Sequence, residues 1–218
     1  MTSQFPPLAQ RFMQKIREDA EKGTYRLNIG EIRIDVFPYI FPPESDLSKS
    51  SRISQEINCR GEVLDVGTGT GILAMISILR GANHADAVDI LPEAVECARH
   101  NVRLNGLQDR IRVFQSDLFC NVEGSYDLIV ANLPILDYPE EDIRFHSLSD
   151  PGFQYHKRFF ACARDYLKNK GKILMPHANL QTNGFKKLES LAELNEFKSK
   201  ICNKQKFNGY TWRNYSLK

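Results

Sequence analysis

Three glycines at alternate positions, Gly67, Gly69 and Gly71, follow the acidic Asp65 inside Glu62-Val-Leu-Asp-Val-Gly-Thr-Gly-Thr-Gly-Ile-Leu-Ala74. Backbone without a Cβ takes positive φ and lets a ligand come close, and the N–H groups opening a following helix are left without intrahelical partners. The stretch is therefore a cradle for a small molecule. Its spacing is G-x-G-x-G, with Ile72 where a dinucleotide fingerprint needs its third glycine, and no Gly-Lys-Ser/Thr follows to hold a phosphate and magnesium. NAD and the ATPase loop are both disfavoured. Asp89 lies 20 residues past Gly69, where a carboxylate can accept hydrogen bonds from both hydroxyls of a ribose. It is also placed to cap a helix opening at Pro92.

These residues need rigid supports, and the hydrophobic pattern supplies them. Val63, Leu64 and Val66 predict a buried strand, and Ile72, Leu73, Met75 and Ile76 a helix face. His84 to Ile90 predicts a second strand with Asp89 at its end. A helix from Pro92 to Asn105 follows, with Ala94, Val95, Ala98, Val102 and Leu104 inward and Gly106 closing it. Ile111 to Gln115 makes a third strand ended by Ser116-Asp117-Leu118, and Tyr126 to Ala131 a fourth that runs into Asn132-Leu133-Pro134-Ile135. Phe159, Phe160, Ala163 and Leu167 mark a helix, Lys170-Gly171 a turn, Ile173 to Met175 a fifth strand, and Thr182 to Leu194 another helix. Two last strands, Phe197 to Cys202 and Tyr210 to Leu217, join at Asn208-Gly209, a hairpin signal. Strands alternating with helices make the chain an α/β protein.

Ahead of this lies an amphipathic helix. Pro6 and Pro7 open it, Leu8, Phe12, Ile16 and Ala20 recur every four residues, and it should run to about Lys22. Tyr25 to Val36 alternates with a two-residue period about Gly30 and predicts a hairpin. Residues 1–36 are thus expected to form a cap or lid, offering Phe12 or Tyr25 to the ligand, and residues 37–218 the binding domain. Between them, Phe37 to Ser51 is rich in proline and hydroxyls and suits neither strand nor helix; its serines suit a carboxylate or the cap of a helix before Ile53. Residues 136–150 are long for a connection and predict a substrate-facing loop.

The acidic residue with G-x-G-x-G, and the motifs that follow in order, resemble the class I S-adenosylmethionine (SAM) dependent methyltransferases. The likeness is nearest to the Asn-Pro-Pro-Tyr type of N-methyltransferase, including glutamine N5-methyltransferases, and runs from about Phe37 onward. It implies a Rossmann-like fold with a seven-stranded, mostly parallel sheet of order 3-2-1-4-5-7-6, and SAM as cofactor. It places Asp65, Gly67, Gly69, Gly71, Asp89 and Ile90 around the cofactor, Asp117 and Leu118 at its adenine, and Ser51 at its methionine end. At the reacting edge Asn132, with Pro134 and the Leu133 carbonyl, would orient an acceptor NH₂. Leu133 and Ile135 depart from the family motif, since Ile135 cannot stack on a planar group. Tyr138, Phe145, Phe153 or Tyr155 would have to replace the stack, and Tyr155 also offers a hydroxyl. Gln181 matches the glutamine-type enzymes, while His177 stands where they carry an acid.

Three functions compete. The first is methylation of a nitrogen in a small molecule or a protein side chain. The second is intramolecular cyclisation of SAM to azetidine-2-carboxylate with release of methylthioadenosine, as in methyltransferase-like cyclases. The third is a non-catalytic SAM- or RNA-binding module, prompted by lysines gathered at Lys186, Lys187, Lys198, Lys200, Lys204 and Lys206. A net charge of +2 argues against a nucleic-acid partner and for a small-molecule substrate. Five cysteines without a C-x-x-C pair argue for reduced thiols, a cytoplasmic location and no zinc site. His146 and His156 lack further ligands at metal spacing, so no metal is expected. No apolar run is long enough for a membrane span. Oligomeric state is left open by the sequence.

Overall fold

Strand formation follows the alternation of apolar residues. In a computed structural model describing residues 7–44, 50–181 and 183–218, seven strands form one sheet. They are β3 (Glu62–Val66), β4 (His84–Asp89), β5 (Ile111–Gln115), β6 (Tyr126–Ala131), β7 (Leu167–Ala178), β8 (Ser199–Phe207) and β9 (Tyr210–Leu217), preceded by a separate hairpin of β1 (Tyr25–Ile29) and β2 (Ile32–Val36). The order β5-β4-β3-β6-β7-β9-β8 is the expected 3-2-1-4-5-7-6. The first five strands are parallel; β9 runs antiparallel to both neighbours.

Each face of the sheet takes alternate side chains. Val63, Leu128 and Val130 face one cluster, with α2 (Ile72–Leu79) and α3 (Pro92–Leu104); Leu64, Val66, Ile129 and Ala131 face the other, with α4 (Gln154–Ala163) and α5 (Gly184–Leu194). Helix α2 is buried from Ile72 to Ile78, because the sheet covers one side and the segment before β3 the other. That explains an apolar helix with so little polar face.

The terminal segment divides by its contacts. Ile32, Ile34 and Val36 of the hairpin belong to the main core, whereas Phe12 and Ile16 of α1 (Pro7–Glu21) pack with Leu136, Phe145 and Leu148 of the long loop. Asn101 of α3, fully buried, accepts from the Asp35 N–H at 2.8 Å and donates to the carbonyls of Asp35 and Thr70, both at 3.0 Å. One amide thus ties hairpin, helix and glycine loop together.

Three expectations need correcting. The fifth strand is longer than Ile173 to Met175, and Lys170-Gly171 is an irregularity within it: partners pass from Tyr126↔Leu167 to Leu128↔Lys172. A Cβ on Gly171 would sit 2.8 Å from the Tyr126 carbonyl oxygen, so only glycine lets the strands close there. The penultimate strand starts at Ser199 and extends to Phe207 rather than ending at Cys202, since the hairpin turn at Asn208 (φ 51°) and Gly209 (φ 78°) sets its far end. The helix expected from Thr182 spans Gly184–Leu194, and Pro6, Ser48 and Thr182 lie outside the described residues.

Candidate functional site

The glycine loop joins β3 to α2, and Asp65 sits beneath it. This carboxylate is wholly buried; Oδ2 accepts from Thr68 Oγ1 at 2.7 Å and from the Ala74 N–H at 3.1 Å. Burial, the dominant influence, pushes its pKa up to about 7. Asp65 lies outside the lining of the cleft and shapes the loop from below, which refines the expectation of cofactor contact. Gly71, also outside the lining, opens α2 with φ 82° and comes close to α3: a Cβ there would meet that of Ala98 at 3.3 Å. Gly67 and Gly69 do line the cleft, and nothing stands within 4 Å of a Cβ built on Gly69, so that side of the loop is open.

Asp89 ends β4 and is 9% exposed. Its Oδ2 accepts from the Gly69 N–H at 2.9 Å and its Oδ1 from the Leu91 N–H at 3.1 Å. It therefore braces the loop and fixes the turn into α3 while lining the cleft beside Ile90; it does not cap the helix as expected, because the N-cap is Leu91 and no side chain bonds the first helical N–H groups. Burial raises its pKa against the pull of those N–H groups.

Asp117 and Leu118, past β5, also line the cleft. Asp117 Oδ2 accepts from Arg158 Nη2 on α4 at 2.7 Å, a pair that no local pattern announces, while Oδ1 is buried without a partner among the described residues. Leu118 has φ 51°, a left-handed conformation uncommon for leucine, and its carbonyl accepts from Ser116 Oγ at 2.9 Å. An unsatisfied buried oxygen costs about 1–3 kcal/mol, a cost that a donor at this position would remove.

The end of β6 delivers Asn132, Leu133, Pro134 and Ile135 to the same cleft. Gln181 holds that edge in place: its Nε2 donates to the Ile135 carbonyl at 2.9 Å, and its Oε1 accepts from the Asp137 N–H at 3.0 Å. Of the four aromatics expected to replace the missing stack, Tyr155 alone lines the cleft. Phe145 and Phe153 are spent in the core at 2% and 3% exposure, and Tyr138 lies outside the lining. Burial raises the Tyr155 pKa, and its hydroxyl lies 3.3 Å from His146 Nδ1.

The aromatic wall comes from elsewhere. Phe12 of α1 reaches the cleft as expected, joined by Tyr39, Phe41, Phe207 and Trp212, while Tyr25 packs against the main core instead. Sequence reasoning missed the contribution of β8 and β9. The alternation Asn203-Lys-Gln205-Lys-Phe207 could have shown it, because its odd positions share one face.

Ser51 lies in a 3-10 helix, Ser50–Glu56, and its side chain is outside the described residues. His146 Nε2 pairs with the Glu140 carbonyl oxygen at 2.9 Å, and His156 Nδ1 with Asp150 Oδ2 at 2.6 Å. His177 is wholly buried, its ring 5.5 Å from that of His156, and burial holds its pKa well below 6.5. Among the described residues no group of acids, histidines and cysteines could hold a metal ion, and no helix is long and apolar enough to cross a membrane.

Known proteins resemble this chain in both sequence and structure. Residues 51–138 match the family model of ribosomal protein L11 methyltransferase (PrmA). A Methanocaldococcus jannaschii protein, assigned by name to the protein N5-glutamine methyltransferases, is 30% identical over 71% of this chain and 80% of its own. The release factor glutamine methyltransferase of Shewanella oneidensis is 32% identical over 77% of this chain, but the match spans only 65% of that relative's length. Among solved structures, the ribosomal protein L11 methylase of Lactobacillus delbrueckii subsp. bulgaricus superposes with a TM-score of 0.58 at 26% identity, covering 76% of this chain and 74% of that one. None of these proteins is named for cyclising SAM. With cradle, carboxylates and reacting edge on successive strand ends, and a relative matched over four fifths of its length, the chain belongs to the class I SAM-dependent methyltransferases.

Proposed function

We propose that this protein binds SAM in the cleft and methylates the nitrogen of a planar side-chain amide, with glutamine in a protein as the leading acceptor. The observation that carries this reading is the pairing of two features in one cleft. Asp117 Oδ1 is buried and unpartnered among the described residues, as an adenine amino group requires, and Asn132 stands beside the Leu133-Pro134 backbone at the next strand end. When bound, SAM supplies an electrophilic methyl group on a sulfonium that departs as a neutral thioether. The chain's own residues bind and orient. Asp89 accepts from ribose hydroxyls on the face left by its bonds to Gly69 and Leu91, and Gly69 gives the close approach.

Asn132 Oδ1 and the Leu133 carbonyl accept from the acceptor NH₂, turning its nitrogen lone pair toward the methyl; as the C–N bond forms and the C–S bond breaks the nitrogen becomes cationic and strongly acidic, and it gives up one proton to water. Gln181 fixes the edge so that this geometry persists. Holding two reactants in line is worth roughly 7–11 kcal/mol of barrier, so no strong base is needed. Helix α1 and residues 136–150, packed on each other through Phe12, Ile16 and Phe145, form the cover that keeps water from the acceptor end. In this reading the hairpin is part of the main domain and the cover is α1 with the loop.

Calorimetry with SAM, followed by assays for S-adenosylhomocysteine using glutamine-containing peptides, tests the reading. Asp117→Asn is expected to weaken SAM binding about tenfold. Asn132→Ala should leave SAM affinity within about twofold and lower turnover at least a hundredfold, as loss of an orienting group does. SAM binding without any methylated amide would sink the acceptor assignment; no SAM binding would sink the whole reading.

A further inference from the structure

The antiparallel end of the sheet presents an organised polar face to the cleft. Cross-strand partners share a face, as do residues two apart. Asn203, Asn214 and Pro176 form one row across β8, β9 and β7; Gln205, Trp212 and Ala178 form the next on the same face. Five of these six, with Phe207 one further step along β8, line the same cleft as Asn132.

Two donors in these rows are unsatisfied. Asn214 is 6% exposed, and its Nδ2 has no partner among the described residues; the indole Nε1 of Trp212 is buried in the same condition. Asn203 differs, since its Nδ2 donates to Glu56 Oε1 at 3.2 Å. Leaving two N–H donors buried and unpaired is costly unless something else supplies an oxygen. Charge narrows what that can be. Neither lysine nor arginine is among the described lining residues, and the carboxylates there, Asp89 and Asp117, belong to the cofactor end. Among the described lining residues an anionic acceptor would find no fixed positive charge, the histidine there, His146, already being engaged by the Glu140 carbonyl oxygen.

Resting on the methyl-transfer reading above, we propose that this face is the acceptor subsite, selecting a neutral ligand whose carbonyl oxygen takes the Trp212 and Asn214 donors. The aromatic rings of Trp212 and Phe207 flank its planar group, so these two supply the stack that Ile135 cannot. The β8–β9 pair, far along the chain from the reacting edge, then decides what is methylated.

Trp212 is the single tryptophan of the chain, so the subsite carries its own fluorophore. Intact protein loaded with S-adenosylhomocysteine is titrated with N-acetylglutamine amide, a glutamine-containing pentapeptide, benzamide and, as the anionic counterpart, benzoate. Saturable change in Trp212 emission with the amides and none with benzoate supports the proposal. The pentapeptide saturating first assigns the face to a protein acceptor; benzamide first assigns it to a small molecule. For whichever amide is methylated, Trp212→Phe, which keeps a ring but loses the N–H, should raise KM roughly tenfold. Asn214→Asp, which keeps the shape but loses the donor, should do the same. In both, SAM affinity serves as the control and stays near wild type; the melting temperature holds in Trp212→Phe and falls in Asn214→Asp, whose carboxylate is buried. Equal response to benzoate, or turnover with KM unchanged in both variants, overturns the subsite while leaving methyl transfer standing. Emission changes without any S-adenosylhomocysteine production from SAM would do the reverse.

Discussion

Single residues carry most of the chemistry, and their burial states differ in ways that can be read by titration. His177 is buried with both ring nitrogens unpartnered among the described residues, beside His156. Burial lowers its pKa well below 6.5, so the folded form refuses a proton that the unfolded chain accepts. Its stabilising share is therefore full above about pH 6.5 and lost as pH falls below that value. Asp65 works in the opposite sense, because a carboxyl raised to about 7 favours the folded state at low pH and loses that advantage as pH rises. Comparing His177→Leu with wild type isolates the histidine. The variant should melt at the same temperature or higher at pH 7.5, since it removes unsatisfied nitrogens. Its melting temperature should also fall less on going to pH 5. Calorimetry at the two pH values checks this, and an unchanged difference would contradict it. Nothing in the local sequence marked His177 as apolar in behaviour. Its neutrality comes from the sheet and α5 closing around it, with Phe153 and Phe185 against its ring.

Elements were legible where one physical signal dominated. The strand ends bearing Asp89, Asp117 and Asn132 followed from alternating or continuous apolar runs punctuated by polar residues, and β1 and β2 from their two-residue period. The signal failed where two effects overlapped. Lys170-Gly171 has turn composition, yet Gly171 is there because β6 and β7 close on each other. The lysines of β8 suggested a solvated edge, and they are one, but the intervening Asn203 and Gln205 face the cleft. Residues more than 60 positions from the reacting edge offered no spacing rule to connect them with it. The hairpin is the element whose role changed most. Its tie through Asn101 predicts that Asn101→Ala, which orphans the Asp35 backbone and the Thr70 carbonyl, costs about 2–3 kcal/mol. It should also weaken SAM binding, because Thr70 lies in the glycine loop. Urea denaturation with parallel SAM titration checks both; Asn105→Ala, at the more exposed contact to Arg33, should cost less.

Alternating strands and helices made the α/β class of the whole sheet legible, and the family resemblance supplied its order, the antiparallel end included. β9 stands between β7 and β8 although it follows both in sequence. Removing residues 210–218 thus takes out an interior strand together with Trp212 and Asn214. Such a truncation should be insoluble or unfolded by circular dichroism, whereas a folded, SAM-binding product would contradict the interior placement. The same placement has a temporal side. At roughly 5–20 residues per second of synthesis, about one to four seconds separate the first residue of β8 from the last of β9. Until β9 is in place β7 has only one neighbour, and the apolar edge from Ile173 to Met175 lacks its cover. An unpaired hydrophobic edge is a template for association with other chains. The Asn208-Gly209 turn favours local pairing of β8 with β9, which would shorten that exposure. A chain whose turn closes slowly is therefore at its most vulnerable to aggregation, and Gly209→Val, at φ 78°, should lower the soluble yield on refolding from urea.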